Sequence, residues 1–209
     1  MNIVLLGIQG SGKGTLVADL SNHIDFTLIS VGQLLRDEVT TGSELGKHIH
    51  KLISAGNLVE TDIVIDVIKK NLKNSKGITI FDGFPRNAEQ ADKLQSIAKV
   101  DLVLYLKLTK SDAEKRILGR LTCKKCGYIT NSNVEFKKVC PICGDDLITR
   151  SDDTKESIKK RFEIYDKVTY PLLERYANAG IVVELNAAQS REEVLNSALR
   201  VINEYNNKK

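Results

Sequence analysis

The sequence predicts an α/β protein built on a doubly wound, parallel five-stranded sheet. Two observations carry this expectation. Short apolar runs rich in β-branched residues alternate with amphipathic helical stretches, and the first run leads directly into a glycine-rich loop and a helix. Asn2–Leu6 and residues 78–81, 102–106 and 181–185 are continuous apolar runs, the pattern of strands buried on both faces. Residues 27–30 form a fifth, weaker strand.

The helices between them follow from spacing and caps. Val64, Ile68 and Leu72 recur every four residues. Ser111-Asp112-Ala113-Glu114 and Ser190-Arg191-Glu192-Glu193 read as capping boxes. The last helix then gathers Val194, Leu195, Ala198, Leu199, Ile202 and Tyr205 on one face. Two segments break the rhythm. Residues 30–59 are helical around a polar Thr41-Gly42-Ser43 break, and residues 121–153 carry every cysteine. Both read as insertions on a core formed by residues 1–29, 60–120 and 154–209.

With 209 residues, 42% hydrophobic and 28% charged, the chain is long and apolar enough for a sizeable core, which excludes a disordered protein. No apolar run approaches the roughly 20 residues of a membrane span. The N-terminus lacks a basic stretch followed by an apolar core and cleavage site, so a cytoplasmic protein without membrane association is expected. The 31 Lys and Arg against 27 Asp and Glu give a net charge of +4, spread along the chain, and a solvated basic surface is the reading preferred to a nucleic-acid face. That preference extends to Lys124, Lys125, Lys137 and Lys138. No exposed apolar stripe demands a partner, so a monomer is expected.

The chemistry starts at Gly7-Ile8-Gln9-Gly10-Ser11-Gly12-Lys13-Gly14-Thr15. Glycines let successive backbone N–H groups curl toward phosphate oxygens, and the helix that follows adds its dipole. Lys13 neutralises β- and γ-phosphates, and Thr15 supplies a hydroxyl near Mg²⁺, one residue later than the usual P-loop spacing. The next motif, Asp82-Gly83-Phe84-Pro85-Arg86, ends a strand beside the first, so Asp82 faces the same crevice and suits the water shell of Mg²⁺. Arginines are few against the lysines, and several sit where helices meet the two insertions. Jointly they point to a clamp on phosphoryl charge, because the guanidinium fork binds phosphate bidentately and stays charged.

Cys123-x2-Cys126-x13-Cys140-x2-Cys143 supplies two knuckles of two thiolates, the donor set of a structural Zn²⁺ site. Gly127, Gly144 and Pro141 fit the turns of a zinc ribbon. Disulfides and an iron–sulfur cluster are the competing readings of the same spacing.

These motifs together resemble the adenylate kinase family, and most closely its long-lid, zinc-carrying bacterial form. The resemblance rests on the loop at residues 7–15, Ser30-Val31-Gly32-Gln33-Leu34-Leu35-Arg36, Asp82-Gly83-Phe84-Pro85-Arg86 with Gln90, Arg116-Ile117-Leu118-Gly119-Arg120, Arg150 and Arg161, in family order up to about residue 190. It implies the reaction ATP + AMP ⇌ 2 ADP, with Mg²⁺ accompanying ATP. Gly10, Ser11, Gly12, Lys13, Gly14 and Thr15 would hold the ATP phosphates, and Arg116 with the Gln189 carbonyl the ATP adenine. Arg36 and Arg86 would hold the AMP phosphate, with Gly83, Phe84, Pro85 and Gln90 around the monophosphate and its base. Asn57, Leu58 and Val59 would add backbone contacts to that base, and Val31 lies beside it. Arg120, Arg150 and Arg161 would close over the moving phosphoryl group, the last two also reaching AMP.

The sequence departs from the family pattern at several places. Val31 replaces a threonine that touches the AMP base, Gln33 an aspartate and Gln9 a P-loop proline; Ala187-Ala188 replaces Gly-Thr before Gln189. The linker between the knuckles is short, and the tyrosine usual past the second knuckle cysteine is displaced, with Tyr128 earlier and Thr130 near its place. Against the loss at Val31 stands Gln90, whose amide is suited to pair bidentately with an adenine edge. Two alternatives stay open here: a UMP/CMP-type monophosphate kinase, favoured by Val31, and a nucleic-acid-associated ATP switch whose zinc ribbon reads DNA or RNA.

Phosphoryl transfer asks for in-line positioning and charge stabilisation without a histidine base, which suits a chain whose His23, His48 and His50 lie away from these motifs. Closure of residues 121–153 over ATP and 30–59 over AMP would exclude water, with zinc keeping the small lid rigid.

Overall fold

The computed structural model describes residues 1–72, 77–132 and 139–207. Lys137, Lys138, Lys208 and Lys209 lie outside the described residues. The predicted alternation is present. β1 (Asn2–Leu6) is followed by α1 (Lys13–Leu20), β2 (Phe26–Ser30), α2 (Val31–Thr40), α3 (Glu44–Ser54) and α4 (Thr61–Leu72). Then come β3 (Ile78–Asp82), α5 (Ala88–Ile97), β4 (Leu102–Lys107) and α6 (Lys110–Leu118). A second, small sheet contains β5 (Arg120–Cys123), β6 (Ile129–Asn131) and β7 (Leu147–Ile148). α7 (Lys155–Ile164), a π-helical turn (Tyr165–Thr169), α8 (Pro171–Asn178), β8 (Val182–Asn186) and α9 (Arg191–Asn206) complete the chain.

The main sheet has the order β2-β3-β1-β4-β8, all parallel. Val4 stands opposite Phe81 on one side and Val103 on the other. Successive residues of β1 serve opposite layers, as the two-residue period of a strand dictates. Val4 and Leu6 pack with Phe81, Val103 and the α2–α5 side, whereas Ile3 and Leu5 pack with Ile80, Leu104 and residues of α1 and α9. The chain builds outward from β1 first toward β3 and β2, then toward β4 and β8. Loops leaving the carboxyl ends of neighbouring strands therefore separate at β1 and open a crevice there.

β2 was the weakest strand in the sequence because it is an edge strand: Ile29 is buried while Leu28 is exposed. β3 runs one residue past the expected end, so Asp82 is its last residue. The cap of α6 also differs from expectation. Thr109 is the N-cap and its side chain accepts from the Asp112 N–H at 3.1 Å, which places Ser111 inside the first turn. The Thr109 hydroxyl in turn donates to the Asp112 carboxylate at 2.7 Å, so a single cap stands where a reciprocal box was expected. At α9 the box is as predicted, Ser190 and Glu193 capping each other reciprocally.

β6-β5-β7 is antiparallel, with Thr122 opposite Ile129 and Ile148. Among the described residues its own core is Cys123, Cys140 and Leu147, flanked by Leu121, Tyr128 and Cys143. So small an apolar cluster is marginal unless something else ties it together. Among the described residues, no helix is long and apolar enough to cross a membrane.

Thr109→Ala and Ser190→Ala are each expected to lower unfolding stability by about 1 kcal/mol, and Ser111→Ala to leave it nearly unchanged. Urea unfolding of the three variants checks which hydroxyl caps α6.

Candidate active site

The crevice at the carboxyl end of the sheet is a cleft of about 1450 Å³ whose walls come from both sheets and from the α2–α4 region. Every residue predicted for the nucleotides lines it, from Gly10 through Arg36, Asp82 and Arg120 to Gln189.

At the floor, the loop between β1 and α1 turns on Gly10 (φ 84°) and Gly12 (φ 98°), both in the left-handed region open to glycine. A Cβ on Gly10 would stand 2.6 Å from the Ala113 carbonyl oxygen and 2.9 Å from Ile117, so the loop also needs glycine to lie against α6. Lys13 begins α1 and turns its ammonium into the loop, donating to the Gly7 carbonyl at 2.8 Å and the Ile8 carbonyl at 3.1 Å. Burial, with Arg86 and Arg120 nearby, pulls its pKa down to about 8 against the opposing pull of Asp82. Asp82 accepts a long bond from the Ser30 hydroxyl at 3.4 Å.

After β3, the loop of Gly83, Phe84, Pro85 and Arg86 is tied to its own arginine: Arg86 Nε donates to the Gly83 carbonyl at 2.8 Å. The Arg86 backbone N–H donates to Gln90 Oε1, also at 2.8 Å, and Gln90 is only 2% exposed. A backbone N–H needs an acceptor, and this bond engages one lone pair of the Gln90 oxygen and sets the orientation of its amide. Asn57 is similarly constrained. Its N–H closes the end of α3 on the Leu52 carbonyl at 2.9 Å, so its carbonyl and the Leu58–Val59 backbone are what remain for a ligand. Val31, at the start of α2, is 3% exposed and offers only methyl groups.

The arginines converge from separate elements. Arg36 on α2 bonds Gln33 Oε1 at 3.0 Å. Arg120, first in β5, grips Asp153 through two bonds of 2.9 and 2.5 Å. Arg161 on α7 bonds Asp152 at 2.6 Å, approaches Asp153 at 3.7 Å and donates to the Ile53 carbonyl of α3 at 3.2 Å. Arg150 donates to the Thr122 hydroxyl at 3.0 Å. Burial and the neighbouring Arg120 and Arg36 bring its pKa down to about 10. Arg36 and Arg86 are also held below the usual arginine range, by desolvation among the cleft walls first, with other guanidinium groups pushing the same way and Asp152 and Asp82 opposing. Arg116, on α6, donates to the Ala187 carbonyl at 2.9 Å, beside Gln189 at the far end of the cleft.

Asp152 and Asp153, which hold these arginines, were not singled out in the sequence. The only signal was two adjacent carboxylates just after Arg150, a pattern common on solvated surfaces. In the structure the Asp153 side chain is fully buried. Arg161 keeps Asp152 below the usual carboxylate range even though burial opposes it.

The four cysteine sulfurs lie within 4.8 Å of one another. Cys123 and Cys143 approach to 3.5 Å, as do Cys126 and Cys140, far beyond disulfide bonding and close to the sulfur–sulfur spacing around a tetrahedral metal. The Cys126 backbone N–H and further knuckle donors lower the Cys123 thiol, while burial and the neighbouring sulfurs hold those of Cys126 and Cys143 up. The donor set and its geometry fit a divalent metal.

The family model for adenylate kinase matches residues 5–181. The chain belongs to the adenylate kinase family. It is 38% identical over 215 residues to the adenylate kinase of Thermodesulfovibrio yellowstonii, covering 97% of this chain and 99% of that one. The adenylate kinase of Pseudothermotoga lettingae is 37% identical, with 97% and 98% covered, and that of Treponema denticola is 37% identical, with 94% and 97% covered. Adenylate kinases are phosphotransferases, and membership sets aside both the UMP/CMP-type reading and the ATP switch.

Bound phosphate favours the Lys13 ammonium, so nucleotide binding above pH 8 takes up a proton, and affinity must fall as pH rises through the free-state pKa of about 8. ATP affinity is expected to drop by about tenfold between about pH 7 and about pH 9.5, and calorimetric titration in buffers of different ionisation enthalpy should record the proton uptake.

Proposed function

We propose that this chain transfers the γ-phosphoryl group of ATP reversibly to AMP, giving two ADP. The observation that carries this is the convergence of Lys13, Arg36, Arg86, Arg120, Arg150 and Arg161 on one cleft, in whose lining Lys and Arg outnumber the carboxylates of Asp19, Asp25, Asp37, Asp82 and Asp152. Two nucleotides bring several negative charges to a point where little covalent chemistry is needed, and a surplus of fixed cations is the complement they require.

In this reading Gly10, Ser11, Gly12, Gly14 and Thr15 hold the ATP phosphates with Lys13, and Arg116 and the Gln189 carbonyl flank its adenine. Arg36 and Arg86 hold the AMP phosphate. Val31, Asn57, Leu58, Val59, Gly83, Phe84, Pro85 and the Gln90 amide shape the AMP site. An AMP phosphate oxygen attacks the γ-phosphorus while the bond to the β–γ bridging oxygen breaks. Arg120, Arg150 and Arg161 spread over the charge on the group in flight. Mg²⁺ bound with ATP would screen the β- and γ-oxygens, and Asp82 is placed for its water shell. Residues 30–59 and 121–153 act as two closing bodies on the core of residues 1–29, 60–120 and 154–209, keeping water from the phosphoryl group. Cys123, Cys126, Cys140 and Cys143 hold a structural Zn²⁺ that supports the small lid core. The protein works as a cytoplasmic monomer that binds neither nucleic acid nor membrane.

With ATP and Mg²⁺, ADP should form with AMP and at most slowly with UMP, CMP or GMP, as read by separating the nucleotides. A preference for another monophosphate would overturn the AMP assignment. Metal analysis should return one zinc per chain. Cys143→Ser should lose it and lower the midpoint of lid unfolding by several degrees, corresponding to roughly 2 kcal/mol or more.

A further inference from the structure

Between α7 and α8 the chain does not continue as one regular helix. Pro171 has no N–H to donate, and its ring would collide with the carbonyl four residues back. The backbone widens into a π turn over Tyr165–Thr169, in which the Tyr170 N–H reaches the Tyr165 carbonyl five residues back at 2.7 Å. A threonine in a regular helix commonly returns its hydroxyl to the carbonyl at i−4. For Thr169 that carbonyl belongs to Tyr165 and already accepts from Tyr170. The Thr169 hydroxyl instead leaves the helix and donates to the Arg86 carbonyl at 2.8 Å, across 83 residues of sequence, with Thr169 itself 8% exposed.

Arg86 is thereby held at both backbone polar groups by side chains from different elements. Gln90 of α5 takes its N–H, and Thr169 of the π turn takes its C=O. Its guanidinium is tied at Nε to the Gly83 carbonyl, and the residue lines the cleft. A loop residue fixed at both ends keeps its side chain within the few tenths of an ångström that transfer between two bound groups demands.

We propose that Thr169 is a positioning residue for phosphoryl transfer, fixing the peptide that carries Arg86 so that its guanidinium meets the acceptor phosphate in register. The proposal rests on the reading of Arg86 given above. Steady-state kinetics with ATP and AMP varied in turn should be measured for T169V, T169A, T169S, R86A and the double variant R86A/T169V, alongside thermal unfolding. T169V and T169A are expected to lower kcat/KM for AMP by about tenfold while KM for ATP stays within about twofold, and T169S, which keeps the hydroxyl, to restore the AMP kinetics. In the R86A background the T169V change should have no further effect, because the hydroxyl acts through Arg86. Equal losses for T169S and T169V, parallel shifts in the ATP and AMP constants, or additivity with R86A would overturn the proposal. If R86A is crippled and both T169V and T169A behave as the parent, the proposal alone fails. If R86A itself behaves as the parent, the reading of Arg86 fails and takes this proposal with it.

Discussion

Six cationic side chains facing one cleft repel one another, and much of the local structure can be read as the means of keeping them there. The pKa values of Lys13, Arg36, Arg86 and Arg150 all move down, and guanidinium neighbours are among the causes in each case. Without a counterweight such a cluster would splay into solvent. Asp153, fully buried and gripped by Arg120 at two points, is the main counterweight, and Asp152 on Arg161 is the second. The carboxylates stay fewer than the cations. The remaining positive field serves an anionic ligand and is not consumed inside the protein.

The same contacts link the separate elements around the cleft. Asp152 and Asp153 sit between β7 and α7, Arg120 starts β5, and Arg161 reaches from α7 to the Ile53 carbonyl near the end of α3. One short run of chain is therefore bonded to Arg120 of the small cysteine-bearing sheet on one side and, on the other, to Arg161, which itself reaches α3. Ionic ties between rigid elements can exchange partners when a phosphate arrives, which packed aliphatic side chains cannot do.

The π turn illustrates how a local covalent constraint acts at a distance. Pro171 removes one donor, the helix widens to compensate, and a hydroxyl is released from its own helix to a loop far away in sequence. Gln90 makes the complementary bond, which sets the orientation of its amide. Gln90 and Thr169 thus spend these polar groups on the backbone of Arg86.

The strand-and-helix alternation, the phosphate loop, the paired knuckles and the capping box at Ser190 were legible in the sequence because each depends on residues within about one turn or one loop of each other. Glycine at 10 and 12 with Lys13 after them, and two Cys-x-x-Cys pairs, narrow their chemistry by spacing. Tertiary structure decided what spacing cannot encode. The carboxylates that hold the arginines, the inward turn of the Gln90 oxygen, the spent N–H of Asn57 and the bond from Thr169 to Arg86 all join residues whose proximity arises only when the parallel sheet brings distant loops to one edge. Hydrogen bonds and ion pairs are decided by distance and direction in space, and two adjacent aspartates or a lone threonine carry no mark of the partner that the fold will supply.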